Sequence, residues 1–304
     1  MDTPLRLSEY LAPRYWPTWL LLGILRALAF LPFSAQMRIG RALGTLLYHL
    51  VPVRRHVASV NIRLCFSELT ASEQKKLLRQ HYQSLGMSVM ETAALWFTPV
   101  EKLLSRVTFI GLEHVKKAQE TGQGVLVVQA HFTTMEFLGN LLATQLPIAA
   151  TYDEPNNAFY RALLNNRRGR FVDDIISHRD VRKIVKRLLS GKVTQYSPDQ
   201  AAHKSRAVVV DYFGRSTLTT TATSRLAHAG KALVIPYAPR RNKDNLTYEV
   251  EFYPPLDHFP TEDLKADTQR INHIFEGHIR QVPEQYLWVH KRFKKSVKNA
   301  TNPY

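Results

Sequence analysis

The sequence predicts an α/β fold with a mostly parallel central sheet flanked by helices, preceded by an apolar helical N-terminus. Three observations carry this. Val125-Leu126-Val127-Val128 is a short apolar run bounded by glycine, the pattern of a strand buried on both faces. Similar runs recur at 148–152, 193–196, 208–213 and 232–236, with an alternating strand over 248–253. Helical patterns at 135–144, 159–170, 180–189 and 221–229 separate most of them, and strands alternating with helices imply parallel pairing with both faces covered.

Taken in order, the chain opens with Trp19 to Phe33, fifteen residues carrying one charge, Arg26. A helix of that length reaches about 22 Å, short of the ~30 Å hydrocarbon core of a bilayer. Trp16 and Trp19 suit a headgroup boundary and Arg26 can snorkel, so residues 1–34 are expected to form a membrane-anchoring helix lying in or dipping into one leaflet. A cleaved signal peptide ending at Ala27-Leu28-Ala29 is opposed by Arg26 within the apolar region and by the lack of a basic cluster at the extreme N-terminus; a buried core helix is the other alternative. Residues 35–51 are again apolar. Seven Lys or Arg against two acids over residues 1–60 favour the cytoplasmic face of an anionic membrane. Thr70 and Glu73 form a capping box that opens a helix from about Ser72 to Trp96, stopped by Thr98-Pro99.

With 304 residues and 45% hydrophobic content the chain buries a substantial core, which excludes general disorder. A single cysteine, Cys65, excludes an internal disulfide framework and a thiolate metal cluster. Forty-one Lys and Arg against 25 Asp and Glu give a formal charge of +16, a field that concentrates anions: nucleic acid, acidic phospholipid, phosphorylated substrates or acidic proteins. The excess is regional, with ten basic residues against three acids from Arg161 to Lys192, and a terminal run of Lys291, Arg292, Lys294, Lys295 and Lys298.

In a sheet of this kind, ligands gather where strands end and helices begin. His131 stands at such an end, after Val127-Val128-Gln129-Ala130, and Glu136 follows five residues later. On an unbroken helix the two would diverge by ~140°. With His131 in the turn and Glu136 in the first helical turn, the carboxylate is expected to hold one imidazole nitrogen while the other works as a base. Thr133 and Glu136 also read as a capping box, and a histidine after a strand also has a purely structural reading.

The His131/Glu136 segment resembles the H-x-x-x-x-D/E signature of glycerolipid acyltransferases. Nearly the whole chain resembles the lipid A biosynthesis acyltransferases, closest to the lauroyl type. Carrying that resemblance are Pro13-Arg14-Tyr15-Trp16, Asn61-x-x-Leu64-Cys65-Phe66, Met90-Glu91-Thr92 through Trp96-Phe97, Tyr196-Ser197-Pro198-Asp199-Gln200, Phe213-Gly214, Pro239-Arg240-Arg241 and Pro283 through Lys294. The resemblance implies a glycerolipid-acyltransferase-like fold, divided as an anchor over 1–34 and an acyltransferase domain over 35–304 (helical 35–104, α/β core 105–304). It also implies acyl transfer from an acyl carrier protein to a hydroxyl of a Kdo-bearing lipid A precursor, on the cytoplasmic side of a Gram-negative inner membrane.

Against that chemistry His131 is expected to be the base and Glu136 its orienting acid. Arg168, with Arg170 as alternate, is the candidate oxyanion donor, a phosphate-holding or solvated face being the other reading. Asp199 and Gln200 close another strand. Asp199 would orient an arginine or the histidine, or cap a turn. Gly214 permits close backbone approach or makes an ordinary turn. Arg240, Arg241 and Arg292 are candidate contacts to anionic substrate. A thioester carries its own leaving group, so no metal and no cofactor is expected.

A glycerophospholipid acyltransferase is the nearest enzyme alternative, disfavoured by the Trp288-to-Lys294 pattern. A basic nucleic-acid-binding protein is the non-enzyme alternative; it lacks a zinc-finger or RNA-binding aromatic motif, so no nucleic acid is expected. His178-Arg179-Asp180 matches a kinase loop only locally, because Val185 stands where an Asn is required. A serine hydrolase lacks a G-x-S-x-G elbow.

Overall fold

A computed structural model describes residues 7–153, 157–201, 204–294 and 302–304. Lys295 and Lys298 of the terminal basic run lie outside the described residues. After two short 3-10 turns (Leu7–Tyr10 and Pro13–Tyr15), five α-helices come first: α1 (Trp16–Ala29), α2 (Phe33–Leu50), α3 (Pro52–Cys65), α4 (Ala71–Phe97) and α5 (Val100–Leu104). Strand β1 (Val107–Ile110) and helix α6 (Leu112–Glu120) lead into β2 (Val125–Val128), α7 (Met135–Leu142), β3 (Ile148–Tyr152), α8 (Ala158–Arg168), β4 (Asp174–Ser177), α9 (Val181–Leu189) and β5 (Val193–Tyr196). After β6 (Ala207–Tyr212) and β7 (Arg215–Thr220) come α10 (Ala222–Gly230), β8 (Leu233–Arg241), β9 (Tyr248–Phe252) and α11 (Leu264–Gln281).

Seven strands form one sheet in the order β1-β9-β8-β2-β5-β3-β4, parallel throughout except for the β8–β9 hairpin. Its centre is β2, and the reason is in the residues. Val125 and Val127 pack into one buried cluster with residues of α2, α4 and α7, while Leu126 and Val128 pack into the opposite one with residues of α3, α9 and α11. A strand with no polar face is stable only between two covered layers. The run at 208–213 departs from expectation. It forms β6, which pairs only with β7 as an antiparallel ribbon outside the main sheet. Phe213 and Gly214 have φ of 51° and 68° between the paired Tyr212 and Arg215, the two left-handed positions of a tight hairpin turn.

Helix α4 begins at the Thr70/Glu73 capping box, with both reciprocal bonds present. It crosses α2 at close range: a Cβ on Gly86 would lie 2.0 Å from the Gly40 carbonyl oxygen, so only glycine allows the approach. Ser84 and Glu91 of α4 are buried.

The N-terminal anchor is not supported as a spanning element. Among the described residues no helix is long and apolar enough to cross a membrane. Helix α1 has 14 residues, and its Leu25 joins the same core cluster as the sheet. Trp19 packs beside Phe159 of α8. The outward side of α1 and the turn after it exposes Leu20, Leu21, Ile24, Phe30 and Leu31.

Candidate active site

Strand register builds the site. Val128, the last residue of β2, pairs with Tyr196, the last residue of the parallel neighbour β5, and three residues beyond each strand end stand His131 and Asp199. Equal offsets from a matched pair bring the two side chains together at the carboxyl edge of the sheet. His131 Nδ1 lies 2.6 Å from Asp199 Oδ1, and the His131 backbone N–H donates to Oδ2 at 3.1 Å. The carboxylate only accepts, so Nδ1 carries the proton and Nε2 is left as the basic nitrogen. Asp199 is fully buried, whereas the imidazole keeps a fifth of its side-chain surface exposed.

Their electrostatics follow from this contact. Burial opposes charge on His131, but the Asp199 carboxylate and its hydrogen bond outweigh it, and the imidazole pKa is raised. Burial alone would push the Asp199 carboxyl up. The imidazolium, with hydrogen bonds from His131 and Tyr286, instead holds it well below the usual carboxylate range. His290 lies within electrostatic reach of both, and burial brings its own pKa down to about 4, so it stays neutral there. Cys65 is no rival nucleophile, because burial pushes its thiol far above the ordinary range.

The turn carrying His131 is held by the C-terminal segment. Phe132 bridges to Tyr286, Thr133 N–H donates to the Gln285 carbonyl at 2.8 Å, and Leu287 N–H donates to the His131 carbonyl at 2.9 Å. Asn61 of α3 clamps that segment in turn, donating to the carbonyls of Trp288 and His290 at 2.6 and 2.7 Å.

Glu136 does not hold His131. It stands in the first turn of α7 and accepts from Arg168, at 3.0 and 3.1 Å from Nε and 2.5 Å from Nη2. An acid at a helix N-terminus facing a base at the end of α8 is favourable to both helix dipoles. The predicted Thr133/Glu136 capping box is also absent, since α7 has Thr134 at its N-cap and no side-chain cap bond. The carboxylate in contact with the imidazole is therefore Asp199, one of the partners open to it from sequence, because strand register brings it closer than chain proximity brings Glu136.

The remaining expectations divide. Arg168 reaches Glu136 through Nε and Nη2, and among the described residues Nη1 makes no hydrogen bond. Arg170 is exposed beyond the end of α8. Gln200 is half-buried next to Asp199. Gly214 stands in the hairpin turn, and a Cβ there would meet nothing within 4 Å. The three arginines expected to meet anionic substrate are all engaged internally. Arg240 pairs with Glu249 and Glu251; Arg241 is buried on Glu91; Arg292 is buried, donating to the Leu218 carbonyl and Thr219 Oγ1. Arg187 and Lys183 of the basic stretch likewise pair with Asp173 and Asp174. Asp180 of the kinase-like triplet caps α9.

Sequence reasoning gave Tyr286, Ser84 and Thr133 no role in the site. Tyr286 lies within the Pro283-to-Lys294 stretch, where the run of apolar and aromatic residues from 286 to 289 is the available signal. Beside the site runs an apolar groove of about 440 Å³, lined by Leu47, Val51, Tyr82, Leu85, Leu287 and Val289, with Arg54 and His290 also along it.

Residues 4–295 match the family model of bacterial lipid A biosynthesis acyltransferases. The chain is 32% identical over 298 residues to the lipid A biosynthesis lauroyltransferase of Escherichia coli (strain K12), covering 98% of this chain and 97% of that one. It is 31% identical over 287 residues to the palmitoleoyltransferase of the same organism, covering 94% of each. The crystal structure of the 1-acyl-sn-glycerophosphate acyltransferase PlsC from Thermotoga maritima aligns with a TM-score of 0.39 at 14% identity, covering 82% of this chain and 99% of that one.

Proposed function

This chain belongs to the bacterial lipid A biosynthesis acyltransferases, and from that premise we propose that it transfers a fatty acyl chain from an acyl carrier protein thioester to a hydroxyl of a Kdo-bearing lipid A precursor, with His131 as general base. The observation that carries this is the His131–Asp199 pair at the ends of two adjacent parallel strands. An alcohol is a weak nucleophile until its proton is removed as it attacks. Nε2 takes that proton, and Asp199 holds the tautomer and stabilises the imidazolium that forms. The new C–O bond creates a tetrahedral oxyanion, for which Arg168, with Nη1 unbonded among the described residues, is the candidate partner. Collapse breaks the C–S bond, and the leaving thiolate takes the proton back from the imidazolium. No step calls for a metal or a cofactor.

The groove beside His290 has the volume and apolar lining suited to an acyl chain. Laurate is the first candidate for that chain. The lauroyl and palmitoleoyl relatives are nearly equally similar, so chain length is read from the product by mass spectrometry. The exposed apolar side of α1, with Arg26 on the same helix, fits a surface that rests on an anionic leaflet of the inner membrane from the cytoplasmic side. Ile24→Asp should weaken flotation with vesicles containing anionic phospholipid while leaving turnover on detergent-dispersed substrate intact; equal flotation of the two proteins rejects the membrane face.

The catalytic reading is tested by His131→Ala, assayed with acyl carrier protein thioester and lipid A precursor. Turnover should fall by about 10²–10⁴-fold with the fold retained. Activity above a few percent of wild type removes His131 as the base.

A further inference from the structure

Behind the catalytic turn lies a buried polar network that acyl transfer does not itself use. Glu91 of α4 and Arg241 at the end of β8 have side chains only 1% exposed and pair at 2.7 Å, Nε to Oε1. Tyr248 donates to the same carboxylate oxygen at 2.6 Å. Arg241 Nη1 donates to Ser84 Oγ at 3.1 Å, and the Ser84 hydroxyl hydrogen-bonds the Thr133 hydroxyl at 2.7 Å. A second route joins the same two places. The Gln285 side chain brackets the Arg241 backbone, accepting from its N–H and donating to its carbonyl, both at 2.8 Å, while the Gln285 carbonyl accepts from Thr133 N–H. Thr133 is thus held by its side chain and by its backbone, and both restraints lead back to Arg241.

A buried ion pair returns little net stability compared with well-packed apolar residues, because desolvation offsets the attraction. Its geometry offers a different use. Glu91 and Tyr248 lock the guanidinium, the guanidinium aims Ser84, and Ser84 fixes Thr133 two residues after His131. We propose that Ser84, backed by the Glu91–Arg241 pair, is a positioning residue that sets the catalytic turn so that the imidazole meets Asp199 with Nε2 presented to substrate. This rests on His131 being the base. Displacing a catalytic group by about 1 Å can cost ~10²-fold in rate, so a looser turn is expected to lower turnover more than substrate affinity.

The test keeps the ion pair and removes only its link to the turn. Ser84→Ala, Thr133→Val and the double variant are compared with wild type in the full-length enzyme, as kcat, KM and pH profile per folded molecule. Each single change should lower kcat by roughly 10-fold with KM within about twofold, and the double change should be no worse than the worse single one. The acid limb of the pH profile should move to lower pH as the imidazole loosens from Asp199. Thr133→Ser, which keeps a hydroxyl, should restore kcat. Unchanged kcat, losses that multiply in the double variant, or effects confined to melting temperature overturn the proposal. Where Ser84→Ala fails to fold, the Thr133→Val and Thr133→Ser pair decides: different kcat values support positioning and equal ones reject it. His131→Ala run in parallel separates the two readings, since its failure to lose turnover removes the base, whereas its loss beside an unaffected Ser84→Ala removes only the positioning role.

Discussion

Asp199 reaches His131 from 68 residues away and is fully buried, whereas Glu136 lies five residues from His131, keeps about a quarter of its side chain exposed, and binds Arg168 instead. The difference shows which physical constraint dominates at this site. Adjacent parallel strands fix side chains to within a pair register, so equal offsets from Val128 and Tyr196 bring two residues into contact. A turn entering a helix rotates successive side chains away from one another, and Glu136 is turned toward the end of α8. Burial separates the two carboxylates: Asp199 is fully buried, raises the imidazole pKa and is itself held low by the imidazolium, whereas Glu136 raises the Arg168 pKa from a position still partly in solvent.

The sharpest way to break this comparison is Asp199→Asn. Removing the charge leaves burial as the main influence on His131, so its pKa falls from the raised value and the acid limb of the rate profile moves to lower pH. At the same time, loss of the fixed tautomer and of imidazolium stabilisation lowers the plateau kcat by about 10²–10⁴-fold. A base must be neutral, so wild-type activity rises as pH climbs through the raised His131 pKa, and a profile that Asp199→Asn leaves in place contradicts the pairing. Glu136→Gln is the smaller perturbation. It should lower kcat/KM by roughly 10-fold through the weakened hold on Arg168, with the acid limb unmoved. If the limb shifts in Glu136→Gln and stays fixed in Asp199→Asn, the two carboxylates have been assigned in the wrong order.

Much of the layout was legible in the chain. The run Val125–Val128 announced a doubly buried strand because no polar residue marks a wet face, and the Thr70/Glu73 box placed the start of α4 within a residue. The alternation of strands and helices located His131 at a strand end. Other features were not legible. The strand at 207–212 has the composition of a sheet strand, but its tight turn at Phe213-Gly214 turns it back on β7. Arg240, Arg241 and Arg292 read as contacts to anionic substrate because charge count says nothing about burial. Their acceptors, Glu249 and Glu251 for Arg240, Glu91 for Arg241 and the Leu218 carbonyl for Arg292, lie on elements that only folding brings near.

The sequence by itself determined the α/β class, the central strand, the position of His131 at its end and the family signature, because each depends on local pattern: periodicity, caps and short motifs. Only the tertiary structure decided which carboxylate contacts that histidine, that the apolar N-terminal helix packs on the body with one side exposed, and that Arg241 is buried on Glu91 and linked through Ser84 to Thr133. Those outcomes depend on sheet order, register and burial, which arise from contacts between residues far apart in the chain and leave no trace in the spacing of neighbours.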